Sequence, residues 1–153
     1  MALWLICDAS GSMIEGGKRF VVRGLVREVE QYCRLGYAPQ ADLRLVTWRD
    51  EVLTLPWQPG DEVPAEQLEC RGSGNASSLV QLVGSASGDR FLILTDGFWT
   101  DESARELKKW RAGLAGDALR VLTVGADANP KISGFGVFEP ENFFAALDGW
   151  LVA

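Results

Sequence analysis

The sequence predicts an α/β domain, doubly wound, with a mainly parallel central sheet, one antiparallel edge strand and helices on both faces. Three observations carry that expectation. Short apolar runs of strand length alternate with segments of helical periodicity. Two of those runs, 2–7 and 91–95, end directly on an aspartate, Asp8 and Asp96. One pair of runs, 43–48 and 52–56, is separated only by the polar turn Arg49-Asp50-Glu51, which reads as an antiparallel hairpin at a sheet edge. The 153 residues fit one domain, 1–153, long enough to bury a single core.

The first strand, 2–7, is uniformly apolar, as a strand covered on both faces requires. A helix is expected over 17–35, where Val22, Leu25, Val26, Val29, Tyr32 and Cys33 recur at helical spacing. Lys18, Arg19, Arg23, Arg27 and Arg34 mark its other faces and read as a solvated basic stripe. Gly36 stops this helix and Pro39 prevents its return. After the hairpin, Pro56 and Pro59 demote the chain to edge or loop, with at most a short helix near 64–69.

The Gly-rich segment Gly72-Ser73-Gly74-Asn75-Ala76-Ser77-Ser78 opens a helix containing Leu79, Leu82 and Val83, and 85–89 reads as a turn. Beyond the second aspartate-tipped strand, Thr100 is the N-cap of a helix whose first turn carries Asp101 and Glu102, matching the positive end of its dipole. Its apolar face is Ala104, Leu107, Trp110 and Leu114. A strand over 119–124 closes at Gly125. A last helix begins near Pro140, with Phe143, Phe144, Leu147, Trp150 and Leu151 facing inward.

Composition narrows the function classes. The net charge is −6 and no run of Lys or Arg forms a patch, which argues against nucleic acid or an anionic membrane as partner. There is no His, so Ser-His and Cys-His nucleophiles and the usual nitrogen ligand for metals are missing. Cys7, Cys33 and Cys70 are far apart and odd in number, and read as core thiols of a reducing compartment. The first apolar run is too short for a leader or a membrane span, so a cytoplasmic location is expected.

The chemistry gathers at the strand ends. Asp8-Ala9-Ser10-Gly11-Ser12 places a carboxylate and two hydroxyls directly after a buried strand. Alone, that pentapeptide reads as a helix-capping turn. With Asp96 at a second strand end, it becomes a cluster of hard oxygen donors suited to Mg²⁺, Mn²⁺ or Ca²⁺ rather than zinc. Ligands of open α/β sheets collect at that edge. Neutral hydroxyl ligands would leave such an ion underneutralised, and able to accept an outside carboxylate. Phe98-Trp99 follows the second aspartate, and Trp99 is a candidate rim contact or a core aromatic. The pairs Asp50-Glu51, Asp61-Glu62 and Asp101-Glu102 read as solvated turn and cap charges.

Taken in order, Asp8-Ala9-Ser10-Gly11-Ser12-Met13, Leu45-Val46-Thr47-Trp48, the Gly-Ser-Gly loop before a helix and Leu94-Thr95-Asp96-Gly97 resemble von Willebrand factor type A domains over essentially the whole chain. The resemblance implies a metal-ion-dependent adhesion site (MIDAS) with Asp8, Ser10, Ser12 and Asp96 as ligands. The middle loop departs from the family's Gly-Gly-Thr. Asn75 stands at the apparent threonine position, and a shift of one or two residues offers Ser77 instead.

The compact architecture looks most like small bacterial cytoplasmic members from tellurium-resistance and stress-response gene clusters. In those, a phosphatase or kinase of the same cluster is the implied partner. The function expected is a non-enzymatic module that recruits another protein through an acidic residue completing the metal shell.

Two readings compete with it. One is a Mg²⁺-dependent phosphoryl-transfer or phosphatase enzyme on the same sheet. Against it, Ser10 stands where an Asp-x-Asp pair needs its second acid, and no G-x-x-x-x-G-K-[ST] loop is present. The other is a structural subunit whose metal site is vestigial.

Overall fold

The computed structural model describes residues 1–84, 88–134 and 136–151. The expected turn over 85–89 therefore lies partly outside the described residues. Among the described residues, six strands form one sheet in the order β3-β2-β1-β4-β5-β6. They are β1 (Ala2–Asp8), β2 (Asp42–Trp48), β3 (Val52–Leu55), β4 (Arg90–Thr95), β5 (Leu119–Thr123) and β6 (Val137–Phe138). Among the described residues, only the β2–β3 pair is antiparallel, with Leu45 opposite Leu55 and Trp48 opposite Val52. The doubly wound sheet with a single antiparallel edge strand is thus as the sequence implies. Strand β6 is an addition: two residues, paired parallel to β5 through Val121 and Leu122, are too short to leave a periodic signal.

Four helices cover the faces: α1 (Lys18–Tyr32), α2 (Ala76–Val83), α3 (Asp101–Gly113) and α4 (Phe143–Leu147). The period-two alternation of β1 divides the core. Leu3, Leu5 and Cys7 join a cluster with Val22, Val26 and Val29 of α1 and with Ala146 and Leu147 of α4. Trp4 and Ile6 join the opposite cluster, with Leu79 and Val83 of α2 and Leu107 and Trp110 of α3. Burial on both faces explains why β1 carries no polar residue before Asp8.

Several local expectations change. The first helix ends at Tyr32 and widens into a π turn over Cys33–Tyr37, where Gly36 takes φ +103°. Phe144, expected to face inward, is exposed, its ring lying beside Phe143 and Tyr32 at the surface. In the short α2, Leu79 and Val83 face inward and Leu82 outward.

The basic stripe of α1 is not uniformly solvated. Arg27 is, and pairs with Glu62. Arg19 and Arg23 donate to the Leu68 and Val63 carbonyls and tie down the segment containing the 3-10 turn Ala65–Leu68. Lys18 is buried, only 2% exposed. All three cysteines are free and buried, and burial pushes the Cys33 thiol up to about 11.

Leu5 is fully buried on β1, one of the two central strands, flanked by Leu45 of β2 and Leu92 of β4. Leu5→Ala should cost about 2–5 kcal/mol of unfolding free energy, read as a lowered urea midpoint at unchanged slope. A loss below about 0.5 kcal/mol would show that the sheet centre is loosely packed.

Candidate functional site

Strand β1 pairs with β2 on one side and β4 on the other, both parallel. The chain order reverses there, so the crevice of this sheet opens at the carboxyl ends of β1 and β4. Asp8 ends one strand and Asp96 follows the other.

Asp8 is almost wholly buried. Its Oδ1 accepts from the Ser10 backbone N–H at 2.9 Å, and its Oδ2 accepts from the Thr95 hydroxyl at 2.5 Å. Thr95 Oγ1 in turn accepts from the Gly97 N–H. Burial pushes the Asp8 carboxyl above its ordinary value; the Thr95 and Ser10 hydrogen bonds oppose this, and the nearby Asp96 charge adds to it. Among the described residues, no cation pairs with Asp8. Ser10 Oγ lies 3.4 Å from Ser12 Oγ, within the 3-10 turn region that leads into α1.

Asp96 is solved differently. Its Oδ1 accepts from the Phe98 N–H at 3.1 Å, whereas its Oδ2 accepts from Lys18 Nζ at 3.1 Å. The same ammonium reaches Asp127, an exposed acid just beyond β5. Burial alone would lower the Lys18 value, but hydrogen bonds and charge from Asp96 and Asp127 outweigh it and hold the ammonium above the usual lysine range.

The middle loop is tied to the first loop. Gly11 N–H donates to the Gly72 carbonyl and Arg71 N–H to the Ala9 carbonyl. Gly74 lies on the Trp48 ring, where a Cβ would stand 3.1 Å from the indole. The Asn75 side-chain oxygen accepts from Ser78 N–H and so caps α2. Asn75 and Ser77 line a hollow of about 200 Å³ with Asp50, Thr100 and Glu102, a hollow to which Asp8, Ser10, Ser12 and Asp96 do not contribute. The structure therefore groups Asp8, Ser10 and Ser12 by contact, sets Asp96 beside Asp8 through Thr95, and gives both middle-loop candidates other surroundings.

Trp99 packs against Trp48, with ring centroids 5.9 Å apart, while Phe98 is the exposed ring at the rim. Three residues of the site escaped sequence reasoning: Thr95, Lys18 and Asp127. Thr95 stood in the sequence only as part of the Leu94-Thr95-Asp96-Gly97 segment, with no role of its own. Lys18 and Asp127 did leave a signal: a cation in the first turn of a helix, against the dipole, and a third acid just past a strand end.

The donors fit a hard divalent cation. Asp8 is a buried carboxylate without a counter-ion, which is costly unless a cation compensates it, and two hydroxyls stand next to it. Among the described residues, no group of three or more His, Cys, Asp or Glu could hold a metal, so any such shell must rest on hydroxyls and water as well as carboxylates.

No family model matches this sequence, and no curated protein matches it either. Solved structures do match. A manganese-loaded TRAP protein of Plasmodium vivax aligns over 95% of this chain and 70% of its own, at 13% identity and TM-score 0.61. An aerotolerance-related membrane protein of Bacteroides fragilis aligns over 82% of this chain and 68% of its own, at 16% identity and TM-score 0.58. A von Willebrand factor type A structure from Catenulispora acidiphila aligns over 80% of this chain, at 16% identity and TM-score 0.51, and this chain spans 32% of it.

The fold is that of a von Willebrand factor type A domain. At such identities the fold is what is shared. In this type A fold, the described residues include no helix long and apolar enough to cross a membrane.

The burial of Asp8 has a measurable consequence. A raised native value means that the folded chain binds the Asp8 proton more tightly than the unfolded chain does. Stability from this group is therefore full below the ordinary carboxylate range and falls as pH rises through the raised native value. Asp8→Asn removes that penalty. In chelator at neutral pH the variant should melt above the wild type, by about 2–4 °C for each kcal/mol relieved, and the gap should close on acidification. A wild type at least as stable as the variant at neutral pH would show that the hydrogen bonds to Asp8 outweigh its burial.

Proposed function

We propose that this chain is a metal-dependent protein-interaction module that lacks catalytic activity. The observation that carries the reading is Asp8: a buried carboxylate with no counter-cation among the described residues, beside Ser10 and Ser12, at the switch point of the sheet. Asp8, Ser10, Ser12 and Asp96 would hold Mg²⁺, Mn²⁺ or Ca²⁺, and the candidate middle-loop donor, Asn75 or Ser77, would have to turn out of the separate hollow it lines to join them. The TRAP neighbour described as manganese-loaded supports a divalent ion at this type of fold. When bound, such an ion supplies an electrophilic centre for an oxygen ligand from outside.

The chain's own residues do the rest. Thr95 and the Ser10 N–H hold the Asp8 carboxylate in one orientation. The Gly11–Gly72 and Arg71–Ala9 hydrogen bonds keep the first and middle loops in register. Phe98 offers an apolar surface at the rim. A partner carrying an Asp or Glu fits this arrangement, and a phosphatase or kinase encoded beside it, in the cytoplasm of a bacterium, is the candidate drawn from the sequence resemblance. Phosphoryl chemistry is disfavoured because Ser10, not an acid, stands two residues beyond Asp8.

Titration calorimetry with Mg²⁺ or Mn²⁺ should give one site with Kd of roughly 10⁻⁴–10⁻³ M, lost in Asp8→Ala. Absence of heat at millimolar metal would sink the metal reading. In capture experiments, Asp8→Ala and Ser12→Ala should weaken partner binding by ~2–5 kcal/mol, about 30-fold or more, and chelator should do the same to the wild type. A partner that binds both variants equally well in chelator docks elsewhere. The wild type should also leave a generic phosphate ester intact; turnover that disappears in Asp8→Ala would make it an enzyme.

A further inference from the structure

We propose that Lys18 is a tethered counter-ion of the site, an ammonium of the chain itself that competes with a divalent cation for Asp96 and sets how tightly the site binds metal. This deepens the metal-module reading and rests on it for the identity of the competing ion.

Four observations converge on Lys18. Its side chain is 2% exposed, which is uncommon for a lysine, and its Nζ lies 3.1 Å from Oδ2 of the fully buried Asp96. It stands in the first turn of α1, where the helix dipole opposes a positive charge, so the local helix gives no reason for its presence. The chain makes room for it: Gly125 has φ +95°, and a Cβ there would fall 2.8 Å from Lys18 Cε. Asp127 and the Phe98 ring, 5.7 Å from Nζ, hold the ammonium from its other sides.

The result is an asymmetric pair of carboxylates. Asp8 accepts from neutral donors only, the Ser10 N–H and the Thr95 hydroxyl. Asp96 has already spent one oxygen on a permanent cation that cannot diffuse away. A divalent ion arriving beside Asp96 meets either the repulsion of the ammonium or the need to move it toward Asp127, which lies on the open side of the same group and is 60% exposed. Both lower affinity, strongly so in a buried setting where charges are poorly screened. Lys18 thereby holds Asp96 in place and satisfied when no metal is present.

The test compares wild type, Lys18→Met and Lys18→Arg, using Mn²⁺ alone as the probe. Titration calorimetry should show Lys18→Met binding Mn²⁺ roughly 10-fold or more tightly than the wild type, with Lys18→Arg near the wild-type value. Melting should show the complementary pattern: Lys18→Met less stable in chelator and rescued by Mn²⁺ more than the wild type is. Equal Mn²⁺ affinity in wild type and Lys18→Met overturns the role of Lys18 and leaves the metal module standing. Binding by Lys18→Met alone supports the tethered ion and removes the metal reading from the wild type. Binding by neither overturns both. If Lys18→Met does not fold, ammonium-detected NMR of the wild type replaces it. A slowly exchanging Lys18 NH₃⁺ signal in chelator that shifts or vanishes when diamagnetic Mg²⁺ binds supports the proposal, and a signal indifferent to bound Mg²⁺ overturns it.

Discussion

Two carboxylates buried side by side at the tips of neighbouring parallel strands set the terms for everything around the crevice. A charge removed from water is costly unless it is paired or well hydrogen-bonded, and two like charges close together compound the cost. The chain answers twice and differently. Asp8 receives a hydroxyl and a backbone N–H. Asp96 receives a backbone N–H and a full ammonium. Thr95 joins the two solutions, since its hydroxyl donates to Asp8 while accepting from Gly97, and so fixes the turn that carries Asp96.

That arrangement holds only because the loops are braced from below. Arg49, itself buried, donates to the Glu69 carbonyl at 2.6 Å and holds the start of the middle loop against the end of β2. Asp50 accepts from Ser73 N–H, and Ser103 of α3 donates to the Gly74 carbonyl. These contacts place the middle loop on the Trp48 ring, and Gly74 allows an approach that a side chain would obstruct. Gly97 is a parallel case: its φ of +77° and the 2.7 Å separation of a would-be Cβ from Ile132 both exclude a larger residue. The apolar layers on both faces of the sheet supply the stability against which these polar and strained features are set.

How much of this was legible in the sequence follows from the range of each signal. The strands β1 and β4 were legible because a strand covered on both faces is a near-continuous apolar run, β5 because Leu119, Val121 and Leu122 still make a short strand-length run around Arg120, and the β2–β3 hairpin because its turn is short and polar. The two-residue β6 was not, since its pairing depends on β5 rather than on its own residues. Asp8, Ser10, Ser12 and Asp96 stood out by their position after apolar runs. Lys18 did not: its neighbours in sequence made it one of five cations on a helix, and only the fold brings it to Asp96, 78 residues away. Phe144 was placed inward and is exposed, and the reason is length. Periodicity marks a stripe, but in a helix of five residues the stripe is too short to say where it ends.

The surroundings of the crevice also bear on which partner could approach it. On the α2–α3 side, the hollow beside Asn75 carries Asp50, Glu102 and Glu106, so its field opposes an incoming carboxylate. On the other side stand Phe98, the Lys18 ammonium beneath it and the edge of Gly97, where local negative charge is offset. With a net charge of −6, the chain as a whole does not steer an acidic partner toward itself. Under the proposed function, recognition of an acidic partner would rest on short-range contacts at the strand ends, with the acidic side chain entering on the Phe98 side and away from the repelling hollow. Such a module would favour a single well-placed carboxylate over a diffuse acidic surface.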